Sequence, residues 1–385
     1  MDMEFKGYVR ENGQYGVRNH VVVMCSVNCA SGVVHAINRA LPKVVPIINN
    51  YGCGSVGNDA SIMIRTLAGI ANNPNVAGVL IIGLGCEGLG ADRIANAIKG
   101  KPVESLIIQK DGGSAAVTKK GIEIAQRLLS KAKTQTRMPV PIAELVIGLE
   151  CGGSDAFSGI TANPALGSAA DLFVQAGATT ILSETTEMIG TAHILKRRAA
   201  SPEIGEQVET LVNNQEKKVR QALGKFAGMV IAPGNIEGGL SSITEKSLGC
   251  IEKGGTTPIN EIVGYGARPS KRGLIIMDTP GYDIDSMAGL AAGGAQIILF
   301  TTGRGTPAGF PGVPVIKISS NSTTFKNMPG DIDINAGIII DENKTITQVG
   351  EDIYNLTIHV ANGELTCAEK NFSIPFNYLK EGPTF

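Results

Sequence analysis

The chain has 385 residues, 43% of them hydrophobic, with 49 glycines and a formal net charge of −1. Single cores stop growing near ~250 residues, so two domains are expected. The charge leaves no basic footprint for nucleic acid, and with no Trp, 10 Phe and 7 Tyr there are few platforms on which bases could stack. No apolar run approaches the ~18 residues of a membrane span, and the start lacks the apolar core of a signal peptide. Seven cysteines without small-scaffold spacing fit reduced thiols in a cytoplasmic protein.

Residues 5–20 carry Arg10 and Arg18 around an Asn12-Gly13 turn signal, which predicts a hairpin feeding a core strand at 20–25. Short apolar strands follow at 44–48, 76–82 and 105–108. Apolar spacing predicts helices through 33–41, 62–70, 91–99 and 115–132. This alternation argues for a parallel sheet with right-handed crossovers. The polar stretch Lys131–Pro141 marks the expected boundary between domains 1–135 and 140–385. The second domain is expected to open on a strand at 145–147, then a helix at 168–176 and a strand at 179–182. A long charged helical region spans 191–226, and a polar, glycine-rich stretch surrounds 234–255. Strands at 273–277, 296–300 and 313–318 and a helix at 346–363 complete it. The expected fold class is α/β, with two domains built on mainly parallel, Rossmann-like sheets flanked by helices.

Polar residues gather just after the predicted strands. The densest stretch runs from Glu150 through Cys151, Ser154, Asp155, Ser158 and Thr161 to Asn163. In parallel sheets all carboxyl ends lie on one edge, so such loops can converge there. Four cysteines (Cys29, Cys53, Cys86, Cys151) take this position, as small residues under tight turns or as thiolate ligands. The acids Glu150, Asp155, Glu184, Glu187, Asp278 and Asp283 can hold a divalent cation or serve as caps. His193 is a candidate base or ligand. Arg304, in the flexible TTGRGT loop, suits a two-pronged grip on a substrate carboxylate. GLGCEG at 83–88 has dinucleotide-fingerprint spacing, but no acid ends the next strand.

Several long motifs closely resemble the altronate/galactarate dehydratase family. They are ECGGSDAFSGITANPALG (150–167), LSETTEMIGTAHIL (182–195), NIEGGLSSITEKSLGCIEKGGTT (235–257), MDTPGYD (277–283), FTTGRGT (300–306) and DIDINAG (331–337). GYVRENGQYGVRN (7–19), SVNC (26–29) and GCG (52–54) resemble the family's preceding domain. The resemblance implies a lyase that removes water from a sugar acid to give a 2-keto-3-deoxy acid. It also implies a divalent metal, Fe2+ ahead of Mn2+ or Mg2+. In such a reaction a base takes the proton next to the carboxylate, cationic groups hold the enolate, and the 3-hydroxyl leaves with acid help. The residues expected to do this are Glu150, Asp155, Glu184, Glu187, His193 and Asp278. Ser154, Asn163, Thr302, Arg304 and Asn321 are expected to bind substrate, and Cys53, Cys86, Cys151 and Glu184 to hold metal. Full-length members begin with a small β-clip domain, so a separate small subunit and an oligomeric enzyme are expected here. Asn49 and Asn50 stand where many members carry a histidine before the GCG turn. The same two-chain layout occurs in sulfolactate sulfo-lyase, which makes sulfite elimination the alternative. A binding subunit without catalysis is a further one.

Overall fold

A computed structural model describes residues 4–224 and 231–383. Its strands are β1 (Glu4–Val9), β2 (Tyr15–Gly16), β3 (His20–Cys25), β4 (Val44–Ile47), β5 (Val76–Gly83), β6 (Val103–Ile107) and β7 (Met138–Pro141), followed by β8 (Val146–Cys151), β9 (Thr179–Leu182), β10 (Ile259–Val263), β11 (Gly273–Met277), β12 (Ile297–Thr302), β13 (Val315–Ser319) and β14 (Ile334–Asn335). They form two all-parallel sheets, ordered β4-β3-β5-β6 and β10-β11-β9-β8-β12-β13-β14, with a small antiparallel β2-β1-β7 sheet. The expected α/β class with parallel, Rossmann-like sheets is the observed one. No described helix is long and apolar enough to cross a membrane.

Both parallel sheets are covered on both faces, which is why their strands read as continuous apolar runs. Side chains still alternate faces. Ile147, Leu149, Ile297 and Leu299 pack towards the helices Ala162–Gln175 and Ile346–Ala361. Ile298 and Phe300 point the other way, into a core shared with Val22 and Met24 of the four-stranded sheet. That shared core is filled by the helices Asn58–Asn72 and Asp283–Ala292. Gly69, near the end of the first, lies on Ala292, the last residue of the second. The two helices therefore run side by side in the same direction. Each follows a strand of its own sheet, so the carboxyl edges of both sheets face the same side of the molecule. The chain's last segment straps these edges together. Tyr378 Oη donates to Asn49 Oδ1 at 3.0 Å, Asn377 Nδ2 to Asp285 Oδ1 at 2.8 Å and the Glu381 amide to Asp59 at 2.8 Å.

Among the elements that differ from expectation, three do so for local reasons. The helix after β8 begins at Ala162 rather than 168, because Pro164 sits in its first turn, where a missing N–H costs nothing. The charged region 191–226 is two helices, Ala192–Arg197 and Pro202–Leu223. Ser201 caps the second through the Ile204 amide at 3.3 Å and Pro202 starts it. Residues 225 and 226 of that region lie outside the described residues. β10 went unpredicted because Asn260 and Glu261 interrupt its apolar pattern at the sheet edge.

A Cβ at Gly69 would stand 2.7 Å from the Ala292 carbonyl oxygen. Gly69→Ala is therefore expected to lower stability by about 1–3 kcal/mol by prising the two sheets apart. Thermal denaturation with an unchanged far-UV spectrum is the check.

Candidate active site

Along the seven-stranded sheet the chain order reverses between β8 and β12, the position at which open α/β sheets leave a crevice. The loops after these strands are laced together there. The Gly152 amide donates to Thr301 O at 2.9 Å, and the Gly303 and Arg304 amides both donate to Gly153 O, at 2.8 and 3.0 Å. Gly152 and Gly153 permit this approach, since a Cβ on either would meet Phe300 or Arg304.

A buried polar centre lies directly beneath. Glu150 and Cys151 end β8 and point to opposite faces. On one face the Ser183 and Ser286 hydroxyls donate to Glu150 Oε2 at 2.9 and 2.6 Å. On the other, the thiols of Cys151 and Cys250 each donate to Glu187 Oε2 at 2.8 Å, and their sulfurs lie 3.6 Å apart. Glu184 Oε2 accepts from the Cys151 amide at 2.8 Å and from Lys253 Nζ at 2.7 Å. Lys246 pairs with Glu187 Oε1. Glu184 holds a left-handed φ of 68°, rare outside glycine, and its amide is fixed by Thr279 Oγ1 at 2.6 Å. Such strain persists only where surrounding contacts over-determine it.

Charge and burial set the protonation states. Burial raises the Glu150 carboxyl well above the usual range, and the neighbouring charge of Glu184 adds to this. Burial first, then the hydrogen bond and charge of Cys250, push the Cys151 thiol up. Burial opposes charge on Glu187, but Lys246 and Lys253 outweigh it and hold its carboxyl below the usual range. Both lysines are held above their usual range, because the surrounding acids and thiols overcome the burial that opposes their charge. Asp283 opens the helix Asp283–Ala292 and lies over Gly152, where a Cβ would come 3.1 Å from its Oδ2. Burial, then the charge of Glu184, push its carboxyl up to about 7.

The other expected residues take distinct places. Ser154, Asp155 and Asn163 line a cleft of about 290 Å³, which reaches the centre at Lys246. Asp155 is saturated. Its Oδ1 accepts from Ser158 and Ser320 and its Oδ2 from Asn321, all within 2.7–2.8 Å. Asn163 bridges Thr301 Oγ1 at 2.7 Å and Gly249 O at 3.0 Å. Thr302 Oγ1 donates to Gly153 O at 3.2 Å. Asn321 also caps the helix Ser322–Asn327. Arg304 is half-exposed and pairs with Glu237 at 3.0 Å. Asp278 accepts from Thr185 Oγ1 at 2.8 Å, beside the centre. His193 is exposed on the helix Ala192–Arg197 and does not join it. The expected metal set divides, because its members belong to different sheets. Cys151 and Glu184 lie in this centre, while Cys53 and Cys86 are exposed on loops of the four-stranded sheet.

Lys246, Cys250 and Lys253 were not singled out from the sequence. Their spacing of four and three residues places them on one face of the helix Ile243–Cys250 and the turn that continues it. That helix-like spacing, inside a stretch read as a polar loop, was the available signal.

Residues 142–384 match the family described as D-galactarate/Altronate dehydratase, C-terminal, and residues 7–133 match D-galactarate dehydratase/Altronate hydrolase, second domain. The chain belongs to this family. It is accordingly an enzyme of the carbon–oxygen lyase type, a hydro-lyase. It is 35% identical to the altronate dehydratase of Bacillus subtilis (strain 168), over 99% of this chain and 78% of that protein. It is 39% identical to the galactarate dehydratase (L-threo-forming) of Escherichia coli (strain K12), over 96% of this chain and 74% of that protein. It is 31% identical to the (2R)-sulfolactate sulfo-lyase subunit beta of Chromohalobacter salexigens, over 95% of this chain and 94% of that protein.

This buried centre offers a donor set that a divalent ion fits. The ligand atoms of Cys151, Glu187 and Cys250 lie within 4.8 Å of one another, all buried. Two sulfurs and a carboxylate oxygen suit a borderline-soft ion such as iron or zinc. Buried Glu184 Oε1 and Glu150 Oε1 have no hydrogen-bond partner, so the centre holds unspent acceptors. Removing Lys253 would strand the Glu184 charge in a site where both side chains are only 1% exposed. Lys253→Met is expected to cost about 3–5 kcal/mol. The double variant Lys253→Met/Glu184→Gln should recover much of that loss in urea titrations.

Proposed function

We propose that this chain dehydrates a sugar acid of the altronate or galactarate class to a 2-keto-3-deoxy acid. The observation that carries this reading is the pairing of Glu184 with Asp283. One is a carboxylate fixed by Lys253 with a free oxygen. The other is a carboxyl that keeps its proton to about pH 7 beside that charge. A lysine-held carboxyl group beside one that keeps its proton can supply a base and an acid together.

Glu184 takes the proton from the carbon bearing the 2-hydroxyl. The electrons move into the substrate carboxylate, and Lys246, at the inner end of the cleft, holds the resulting enolate. Asp283 gives its proton to the 3-hydroxyl, which leaves as water. The enol left behind then becomes the 2-keto-3-deoxy acid. Lys253 positions Glu184 rather than touching substrate. Glu150, neutral and enclosed by two serines, keeps a second negative charge out of the centre. Ser154, Asn163, Thr302, Asn321 and Arg304 shape the cleft end that receives the rest of the sugar acid. Cys151, Glu187 and Cys250 would hold a divalent ion, Fe2+ in this reading, whose chemistry there is polarisation of substrate oxygens. We place the reaction in the cytoplasm, in keeping with seven free cysteines.

A second reading is sulfite elimination from sulfolactate, favoured by the sulfo-lyase relative aligned over 94% of its own length. That relative is named as a subunit, which supports a smaller partner chain completing the enzyme in either case. Purified chain would be assayed without oxygen, with ferrous iron, alone and with a candidate small subunit. Keto acid from altronate or galactarate is the expected product. Sulfite from sulfolactate, with no turnover of the hexose acids, would select the second reading.

The acid's protonation fixes a pH dependence. Asp283 is protonated below about 7 and ionised above it, so kcat should fall as pH rises through about 7. Asp283→Asn is expected to lower kcat by roughly 10²–10⁴-fold and to remove that limb of the profile. A variant that keeps the limb would assign the acid elsewhere.

A further inference from the structure

The thiols left outside the acid centre form an arrangement of their own. Cysteine is among the most buried residue types, yet Cys29, Cys53 and Cys86 are all exposed. Each follows a different strand of the four-stranded sheet, and β4, β3 and β5 are consecutive neighbours in it. Their loops are tied to one another within a residue of each thiol. The Asn28 amide, beside Cys29, donates to Tyr51 O at 3.0 Å. Gly52, beside Cys53, rests on the β3 loop so closely that a Cβ would stand 2.6 Å from Ser26 O. Glu87, beside Cys86, accepts from Ser26 Oγ at 2.7 Å and from the Leu84 and Gly85 amides at 3.1 and 2.6 Å. That carboxylate takes the amides of the GLGCEG turn which a dinucleotide phosphate would otherwise use. Burial first, then the neighbouring thiols of Cys86 and Cys29, raise the Cys53 thiol, so both lie within electrostatic reach of it.

The spacing distinguishes what such a site can hold. A single tetrahedral ion with metal–sulfur bonds of about 2.3 Å draws its ligand sulfurs to about 3.8 Å from one another. Among the described residues, Cys151, Glu187 and Cys250 are the group whose ligand atoms all lie within 4.8 Å. The three surface thiols are set wider than that. Wider spacing suits a polynuclear cluster, in which each thiolate binds a different iron. Gly52, Gly54 and Gly85, all at positive φ, give the loops the sharp turns that bring backbone amides near a cluster's sulfurs.

We infer that Cys29, Cys53 and Cys86, at the carboxyl ends of β3, β4 and β5, form a three-thiolate site for an iron–sulfur cluster of the [4Fe–4S] type. Three thiolates leave one of four irons without a cysteine ligand. That iron opens on the same side of the molecule as the acid centre, because the two sheet edges face the same way. The inference goes beyond the sugar-acid reading and does not depend on which acid is turned over.

The test is reconstitution of the full chain without oxygen, using ferrous and ferric iron in equal amounts with sulfide, read by metal and sulfide analysis and visible absorption. The wild type is expected to take up about four sulfide and about five iron per chain, four in the cluster and one in the acid centre, with the broad absorption of thiolate-bound iron. Cys29→Ser, Cys53→Ser and Cys86→Ser should each reduce the sulfide content and the absorption to background. Their circular dichroism and melting should be unchanged, since all three positions are exposed. Iron bound without any sulfide by the folded wild type, whether one ion in the acid centre or more, would overturn the inference. So would a Cys29→Ser/Cys53→Ser/Cys86→Ser triple variant that keeps the absorption, or a folded wild type that takes up nothing.

Discussion

The buried ion pair between Lys253 and Glu184, 2.7 Å long with both side chains almost wholly enclosed, is the constraint on which the centre depends. Lys253, the Cys151 amide and the Thr279 hydroxyl hold Glu184 in place at a backbone angle few residues accept. Once that charge is fixed, its neighbours follow. Burial first, and then the charge of Glu184, raise the Asp283 and Glu150 carboxyls. Lys246 and Lys253 stay charged because acids and thiols surround them.

The fold supplies what this chemistry needs. β8 lies where the order of the large sheet reverses, so its loop and that of β12 meet rather than diverge. The helix carrying Lys246 and Cys250 closes over the same edge from sequence about a hundred residues away, in keeping with a separation of 99 between Cys151 and Cys250. The four-stranded sheet presents its own carboxyl edge to the same side. The C-terminal strap holds both edges through Asn49, Asp59 and Asp285. One surface of the molecule thus carries the buried acid centre and the exposed thiols.

Much of this was legible in the sequence where a local pattern carried it. The apolar runs of β3, β5, β8, β9, β11 and β12 and the acids at their ends were readable, because buried parallel strands are continuous in apolar character. The family motifs were readable as well. Other features depend on contacts between distant segments, which periodicity does not encode. Lys246 and Lys253 read as surface residues of a polar loop until Glu187 and Glu184 are seen opposite them. Glu184 and Glu187 were visible as acids, but not that lysines and thiols would divide them. His193 had the right chemistry on a helix face that turns to solvent. Cys53 and Cys86 had the right position after a strand, but a strand of the other sheet.

The central claim is that a buried, lysine-held Glu184 removes the proton next to the substrate carboxylate. The direct measurement is turnover of a sugar acid in heavy water by the wild type and by Glu184→Gln, with the product read by proton NMR. The account predicts one deuterium at carbon 3 of the wild-type product, delivered from solvent as the enol becomes the ketone. It also predicts that the variant binds the acid yet forms no product. Product without deuterium, or a variant that turns over at the wild-type rate, would contradict it.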